Sequence, residues 1–251
     1  MIDLHSHLLP GVDDGAASQE IAVGVLRRFA AAGVRIVACT PHLRASRVAR
    51  ASAGAHADRF DALSACAPNG MTLVRGWEVM LDEPGVDLAR ADVSLGGSRA
   101  VLVEFPRGAV PVQADRELFR LSMSGIVPVL AHPERYHGCT VASARAWRAA
   151  GALMQVDALM PLGTSAASRV ARALLREGLV DLLASDNHGD ARSLADARAW
   201  LTEHGGTEQA ALLTQVNPER VLRDEPMVPV PPLELPAGPL ARLRTWMQRR
   251  A

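Results

Sequence analysis

The sequence predicts an α/β fold in which seven parallel strands close into one distorted barrel. Three observations lead to this prediction. Short runs of β-branched and aliphatic residues alternate with longer stretches rich in Ala, Arg and Leu, as in proteins with parallel sheets. The strand–helix units follow one another without a split in the middle, which favours a barrel over a doubly wound sheet. The length of 251 residues suits one barrel or two small domains.

The predicted strands are short apolar segments separated by helices. In chain order they cover Ile2–His5, Arg35–Thr40, Thr72–Glu78, Ala100–Glu104, Val127–His132, Leu153–Val156 and Val180–Ser185. The helices predicted between them include Ser18–Ala32, Arg47–Cys66, Ala114–Ser124, Ala142–Ala150 and Ser165–Glu177. Four of these helices are followed by a glycine, the residue that commonly caps a helix C-terminus, at Gly33, Gly125, Gly151 and Gly178.

The end of the chain differs in composition from the rest. Asn217-Pro218 opens a last short helix, and the segment from Pro226 to Pro239 contains six prolines, which predicts an extended linker. A short basic amphipathic helix is predicted over Leu240–Arg250. We therefore expect a barrel domain over residues 1–223 and a tail over residues 224–251, whose role the sequence leaves open.

Composition excludes several classes of chemistry. The formal net charge is zero, so charge gives no reason to expect nucleic acid or an anionic membrane as a partner. All 27 basic residues other than His are Arg, which excludes a Schiff-base lysine, a P-loop lysine and a carboxylated-lysine metal bridge. The three cysteines, Cys39, Cys66 and Cys139, are too few for a disulfide framework. With neither a signal peptide nor a membrane-spanning run, we expect a cytoplasmic protein.

Six of the seven predicted strands end in a histidine or a carboxylate. In a parallel barrel the C-terminal ends of the strands meet at one mouth, so these side chains should converge. His5 and His7 are two residues apart and face the same way on an extended segment, and Asp186 and His188 repeat this spacing. The nine candidate metal ligands are His5, His7, Asp14, His42, Glu78, Glu104, His132, Asp186 and His188. Asp13 remains an alternative to Asp14.

The number and kind of these ligands indicate a site for several metal ions. Nine ligands exceed what one tetrahedral zinc takes, so the sequence predicts two or three divalent ions. Mixed imidazole and carboxylate donors suit Mn, Fe or Zn. With three ions and four carboxylates the site keeps about two positive charges before Arg135 is counted. A phosphate dianion fits such a site better than a neutral amide, which predicts a phosphoesterase.

Two further histidines and one cysteine motif have simpler explanations than a role in the site. His56 and His204 are expected to be structural, and His137 stays undecided. The segment from Cys139 to Arg145 matches the C-x5-R loop of cysteine-based tyrosine phosphatases. Its interior, Thr-Val-Ala-Ser-Ala, is helix-like and lacks the glycines that expose backbone N–H groups to phosphate. We therefore expect a chance match.

Taken together, the motifs resemble those of the polymerase-and-histidinol-phosphatase (PHP) superfamily. The resemblance is carried by His5-Ser6-His7, Val12–Gly15, Thr40-Pro41-His42, Ala131–Tyr136 and Ala184–His188. Within the superfamily they are similar to the manganese-dependent protein-tyrosine phosphatases of bacterial capsule and exopolysaccharide operons, the CpsB/YwqE type. The similarity extends from about Met1 to Leu222.

This resemblance implies a distorted (β/α)7 barrel of the PHP type with three metal ions, manganese as the metal, and direct hydrolysis of phosphotyrosine. It also implies a protein substrate, the phosphotyrosine tail of a bacterial tyrosine kinase of polysaccharide export. Arg135 matches the family's phosphate-binding arginine, although it could instead pair with Glu134 or Asp157. Arg192 corresponds to a second such arginine in a loop that departs from the family's pattern. In the mechanism we expect, His42 or His188 could give acid assistance if metal does not fully engage it.

Other functions stay open at this point. The nearest is a small-molecule phosphatase, such as one acting on histidinol phosphate. A metal-dependent amidohydrolase also begins with H-x-H, but its common binuclear form needs the carboxylated lysine that this chain lacks. From a different class, the protein could be a non-catalytic metal-binding module that docks a kinase. Intact candidate ligands at every position argue against that role. The sequence does not indicate the oligomeric state.

Overall fold

A computed structural model describes residues 1–51, 54, 56–89, 92–106 and 110–235, in which short parallel strands alternate with helices. The strands are β1 Ile2–Asp3, β2 Ile36–Cys39, β3 His42–Arg44, β4 Thr72–Arg75, β5 Glu78–Met80, β6 Ala100–Glu104, β7 Val127–Ala131, β8 Leu153–Asp157 and β9 Leu182–Ala184. The α-helices are α1 Gln19–Ala31, α2 Ala57–Ala65, α3 Ala114–Met123, α4 Val141–Ala149, α5 Ala166–Arg176, α6 Leu194–Glu203, α7 Thr207–Ala211 and α8 Asn217–Leu222.

The strands form a closed barrel built from two hydrogen-bonded sheets. One sheet has the order β1-β2-β4 and the other the order β3-β5-β6-β7-β8-β9. The sheets are continuous where β2 leads into β3 and β4 leads into β5. They also meet where Ser6 bridges Asn187, and the His7 N–H donates to the Asn187 carbonyl at 2.8 Å. The barrel thus has seven strand positions, two of them filled by a broken strand, and the predicted distorted α/β barrel is confirmed.

A proline lies at one of the two breaks and a glycine at the other. Pro41, which separates β2 from β3, has no N–H to continue the ladder. Gly76 lies between β4 and β5, where an added Cβ would come within 2.7 Å of the Leu95 side chain. Beyond the breaks the strands pair again, with His42 in register with Glu78. The predicted segments Arg35–Thr40 and Thr72–Glu78 are therefore shorter than expected, and β3 was not predicted.

Most predicted helices agree with the structure to within one or two residues, and the four predicted capping glycines all have positive φ angles. The continuous helix predicted over Arg47–Cys66 is wrong. Residues Ala45–Arg50 form a 3₁₀ turn, and α2 begins only after His56, whose left-handed backbone (φ 61°) interrupts any helix. The helices α6 and α7, and the π-helical turn Leu212–Val216 that follows them, were not among the predicted elements.

An apolar floor lies beneath the C-terminal ends of the strands. Leu4, Leu102, Val129 and Leu182 are fully buried and belong to one cluster inside the barrel. The same cluster includes Val221 of α8, which packs with residues near the N-terminal ends of the strands. A larger cluster fills the space between the sheet and the surrounding helices. The polar side chains at the C-terminal ends of the strands therefore lie on a layer of buried apolar residues.

The described part of the Pro-rich tail, which ends at Leu235, is extended and packs against the barrel. Val230 and Leu233 are buried in the larger core cluster. The Asn217 side chain donates to the Val228 carbonyl at 3.0 Å and accepts from the Val228 N–H at 3.0 Å. The helix predicted over Leu240–Arg250 lies outside the described residues. Across the described residues, the helices are too short or too polar to cross a membrane.

Candidate metal centre

All nine predicted ligand residues converge at the mouth of the barrel. They come from the ends of six strand positions and from the loop after β1. Their nitrogen and oxygen atoms form four overlapping groups, within each of which all ligand atoms lie within 4.8 Å of one another. The groups are His7, Asp14, His42 and His188; His5, Glu78 and His132; His5, His7 and Asp186; and His42, Glu78 and Glu104. Sharing of residues between groups is the arrangement expected of adjacent ions.

The His5 imidazole is oriented by a glutamine on the far side of the barrel. Its Nδ1 lies 2.9 Å from Oε1 of Gln155 on β8. Because an amide oxygen only accepts hydrogen bonds, Nδ1 carries a proton, which leaves Nε2 as the atom that can bind a metal ion. That nitrogen lies 3.2 Å from Asp186 Oδ1 and 3.4 Å from Glu78 Oε1. This geometry suits a metal ligand.

The neighbouring aspartates Asp13 and Asp14 take different positions. Asp13 Oδ2 lies 2.7 Å from His7 Nδ1 and accepts from the His42 N–H at 3.2 Å, so it holds two candidate ligands in place. Asp14 Oδ1 instead faces the cluster, 3.3 Å from His42 Nε2 and 3.5 Å from His188 Nε2. The geometry therefore favours Asp14 as the ligand and Asp13 as the residue that orients His7.

Glu78 lies at the centre of the group and is completely buried. Its Oε1 is 2.8 Å from His132 Nε2, and its Oε2 is 2.8 Å from His42 Nδ1. Burial alone would raise the pKa of Glu78, but the surrounding imidazoles outweigh it and hold the pKa well below its usual range. The carboxylate is therefore ionised and can serve two cations at once.

The donor chemistry tests whether metal ions fit here. Burial would lower the pKa of His5, but the carboxylates of Glu78 and Asp186 outweigh it and raise the pKa to about 9. An imidazole with a raised pKa carries a proton on the nitrogen that would bind a metal ion, and a divalent cation displaces that proton when it binds. His132 Nδ1, also buried, has no hydrogen-bond partner within the part of the chain that the structure describes. Buried imidazoles and carboxylates within ligand distance of one another therefore fit a set of divalent ions.

The backbone at two candidate ligands is strained. His132 has a φ of 34° and Asp186 a φ of 49°, in the left-handed region that residues other than glycine rarely adopt. Each such residue costs about 1–3 kcal/mol and persists only where the surroundings enforce it. At Asp186 the backbone N–H donates to the His5 carbonyl at 2.9 Å, which fixes the turn. Strain of this kind is common at functional sites.

Two arginines flank one carboxylate at the rim of the cluster. Arg135 contacts Asp157 and also Asp186, whose Oδ2 lies 2.7 Å from its Nη2. Arg192 Nη1 lies 3.3 Å from the same Asp186 oxygen, and its Nε is 2.8 Å from Asp190. Glu134 and Asp157 were the two alternative partners of Arg135, and the structure pairs it with Asp157. With 29% of its side chain exposed, Arg135 can still face a ligand.

Three buried polar residues around the cluster, Asp3, Glu134 and Gln155, were not among the predicted site residues. Asp3 accepts from the Ser185 N–H at 3.0 Å, and burial raises its pKa to about 6. Burial also raises the pKa of Glu134 to about 8, with the nearby charge of Asp157 adding to the effect. Gln155 and Asp3 each interrupt an apolar strand, and a lone polar residue in such a run is the signal that could have revealed them.

The C-x5-R segment is structural. Burial, reinforced by the charge of Glu134, raises the pKa of the Cys139 thiol to about 12, so the nucleophilic thiolate is not available near neutral pH. Thr140 and Ser143 form the capping box of α4, and Arg145 pairs with Glu177 at 2.5 Å. These contacts support a chance match.

The four ligand groups do not include the three remaining described histidines, His56, His137 and His204. The His204 ring stacks on Trp200 with 4.3 Å between centroids, and His56 is the left-handed residue before α2, as expected of structural histidines. His137 is exposed.

Comparison with known proteins gives a consistent result. A family model described as capsular polysaccharide synthesis, CpsB/CapC, matches residues 1–223. The tyrosine-protein phosphatase YwqE of Bacillus subtilis is 28% identical over 243 residues, which cover 92% of this chain and 95% of that protein. The tyrosine-protein phosphatase CpsB of Streptococcus pneumoniae is 26% identical over 246 residues, covering 90% of this chain and 99% of that protein.

Solved structures extend the comparison to the fold. A structure described as that of YwqE from Bacillus subtilis and CpsB from Streptococcus pneumoniae, metal-dependent tyrosine phosphatases, superimposes with a TM-score of 0.76 at 26% identity. It covers 93% of this chain and all of that one. A phosphotriesterase from Mycobacterium tuberculosis shares the fold at 14% identity, with a TM-score of 0.53 over 81% of this chain and 84% of that one.

Proposed function

The chain belongs to the CpsB/CapC family of capsular polysaccharide synthesis, and from this premise we propose that it is a metal-dependent phosphatase that hydrolyses phosphotyrosine in proteins. The observation that carries the proposal is the convergence of nine histidines and carboxylates at one mouth, with two arginines at its rim. The names of the relatives supply the substrate class, since YwqE and CpsB are tyrosine-protein phosphatases.

We propose that two or three Mn²⁺ ions occupy the four overlapping ligand groups, with Fe or Zn as alternative metals. The ligands would be His5, His7, Asp14, His42, Glu78, Glu104, His132, Asp186 and His188. Ions bound there would supply Lewis-acid stabilisation of phosphoryl oxygens and a water that is deprotonated near neutral pH.

In the proposed reaction the oxygen of a water forms the new bond to phosphorus, and the bond from phosphorus to the tyrosyl oxygen breaks. Arg135, anchored by Asp157, and Arg192 would bind phosphoryl oxygens and hold the group over the cluster. The leaving phenolate has a solution pKa near 10 and needs little acid assistance. A proton lost by the attacking water ends on the phenolate, and His42 or His188, with 32% and 16% of their side chains exposed, could pass it on where metal does not fully engage the imidazole.

We further propose that the phosphotyrosine lies on the tail of a bacterial tyrosine kinase of polysaccharide export. The family description supports a place in capsule synthesis. A histidinol phosphatase would differ chemically, because its alkoxide leaving group is more basic and depends more on an acid. A non-catalytic docking module would bind metal without turnover, and the arginines at the rim favour catalysis over this alternative.

One experiment tests these assignments together. The protein is stripped with a chelator, reloaded with Mn²⁺, Fe²⁺, Zn²⁺ or Mg²⁺, and assayed for phosphate release from a phosphotyrosine peptide, a phosphoserine peptide and histidinol phosphate. We expect turnover of the phosphotyrosine peptide that depends on added metal and is highest with Mn²⁺. Faster release from histidinol phosphate would establish the small-molecule alternative, and metal binding without any turnover would establish the docking alternative.

A further inference from the structure

An open cavity of about 560 Å³ lies beside the metal cluster. Three of the proposed ligands, Asp14, His42 and Glu104, form its inner side. A phosphate held at these ligands would therefore have this cavity next to it, with room for the group to which the phosphate is attached. For a phosphotyrosine that group is the aromatic ring, followed by the peptide backbone.

The outer side of the cavity has a different character. Leu43 and Met80 contribute apolar surface, and Arg44 and Arg47 contribute two positive charges. His42 and Arg44 are two residues apart on β3, so the strand presents both to the same face. The outer wall, defined as Leu43, Arg44, Arg47 and Met80, thus continues directly from a metal ligand.

The two arginines of the outer wall are free to form ion pairs with a ligand. Both are exposed, and neither makes an ion pair within 4 Å among the described residues. Asp82 is the nearby acidic group whose pKa responds to Arg44, and its two oxygens already accept hydrogen bonds from Ser46, at 3.0 Å and 2.8 Å. The carboxylates of the inner side face the proposed ions, which offset them. The outer wall is therefore the positively charged part of the cavity that can meet an anionic group of the substrate.

We propose that the outer wall selects phosphotyrosine peptides with acidic residues beside the phosphotyrosine. Arg44 and Arg47 pair with carboxylates of the peptide. Leu43 and Met80 contact the tyrosyl ring, and the Met80 thioether packs favourably against an aromatic ring. This inference rests on the proposed function and deepens it by naming the peptide class. A small phosphate monoester would leave both arginines unused, whereas a peptide extends beyond the ring and reaches them.

The test compares two phosphotyrosine peptides that differ only in the flanking residues, Glu in one and Gln in the other, with p-nitrophenyl phosphate as a reference aryl phosphate. The Mn²⁺-loaded protein is assayed as wild type, as the double variant Arg44→Gln/Arg47→Gln, and as the control Arg50→Gln. Arg50 is exposed and ends the same 3₁₀ turn, but it does not line the cavity. All three substitutions are on the surface, and thermal melting checks the fold.

We expect wild type and Arg50→Gln to prefer the Glu peptide by roughly tenfold in kcat/KM, equivalent to about 1.4 kcal/mol. The preference should come mainly from KM and fade in 1 M salt, which screens exposed charges. The double variant should lose most of it. An equal preference in wild type and double variant, or none in wild type, overturns the inference while phosphatase activity stands. Absence of phosphate release from all three substrates overturns the proposed function, and the inference with it.

Discussion

Replacing Arg135 by alanine separates the roles of this residue in stability and in turnover. Asp157, the partner of Arg135, is 1% exposed and would lose its counter-charge. Breaking a buried pair costs about 3–5 kcal/mol, and the lower end applies because Arg135 is partly exposed and Asp157 still accepts from the Leu159 N–H at 2.8 Å. If the guanidinium also stabilises transition-state charge, turnover should fall roughly 10²-fold or more, by analogy with other lost anion-stabilising donors.

Two further variants make this prediction sharp. Arg135→Ala/Asp157→Asn should regain much of the stability, because a neutral amide needs no counter-charge, and should remain slow. Arg135→Lys should fall between wild type and Arg135→Ala, since it keeps the charge but loses the planar fork. The measurements are urea unfolding, kcat and kcat/KM on a phosphotyrosine peptide, and metal content, which should stay near that of wild type. A turnover restored in parallel with stability would show that Arg135 acts only as a structural ion pair.

Three further predictions concern the metals, the nucleophile and the residues that orient ligands. Elemental analysis should find two or three divalent ions per chain, and at most one ion after Mn²⁺ supplementation would contradict the cluster. The affinity for these ions should rise with pH up to about 9, because the raised pKa of His5 means that protons compete with metal at neutral pH. Cys139→Ser should retain most activity, while His5→Ala, Asp186→Ala or chelation should abolish it; the reverse pattern would contradict the assigned site. Asp13→Ala should weaken metal binding roughly 10–100-fold, since it orients His7, and Asp13→Asn should weaken it less; unchanged metal affinity in Asp13→Ala would remove that role.

The sequence predicts the candidate ligands better than the residues that support them. Ligands such as His5 and His132 follow apolar strands, and the topology of a parallel barrel alone brings the strand ends together. Gln155 could not be assigned to His5, because 150 residues separate them and only the register of the closed barrel makes them neighbours. Asp13 and Asp14 are adjacent in sequence, and only the turn of the backbone between them decides which one faces the cluster.

The errors in secondary structure have a similar origin. Alanines and arginines between Arg47 and Cys66 favour a helix locally. In the structure His56 has a left-handed backbone, and its ring lies 5.7 Å from the Trp77 ring between centroids, a contact that the local sequence does not reveal. The strand β3 was missed because Pro41 ends the apolar run before it. A three-residue strand becomes visible only through its pairing with β5.

The break at Pro41 also connects the chemistry of the site with its proposed selectivity. After the break, β3 pairs in register with β5, which places His42 opposite Glu78 and Arg44 opposite Met80. The first pair belongs to the metal cluster, and the second lies in the outer wall of the cavity beside it. The pairing of β3 with β5 therefore fixes the distance between the metal cluster, where the phosphate would be cleaved, and the outer wall, which would contact the flanking residues of the peptide. The predicted strand Arg35–Thr40 ended before Pro41, so this link between the two sites was not expected from the sequence.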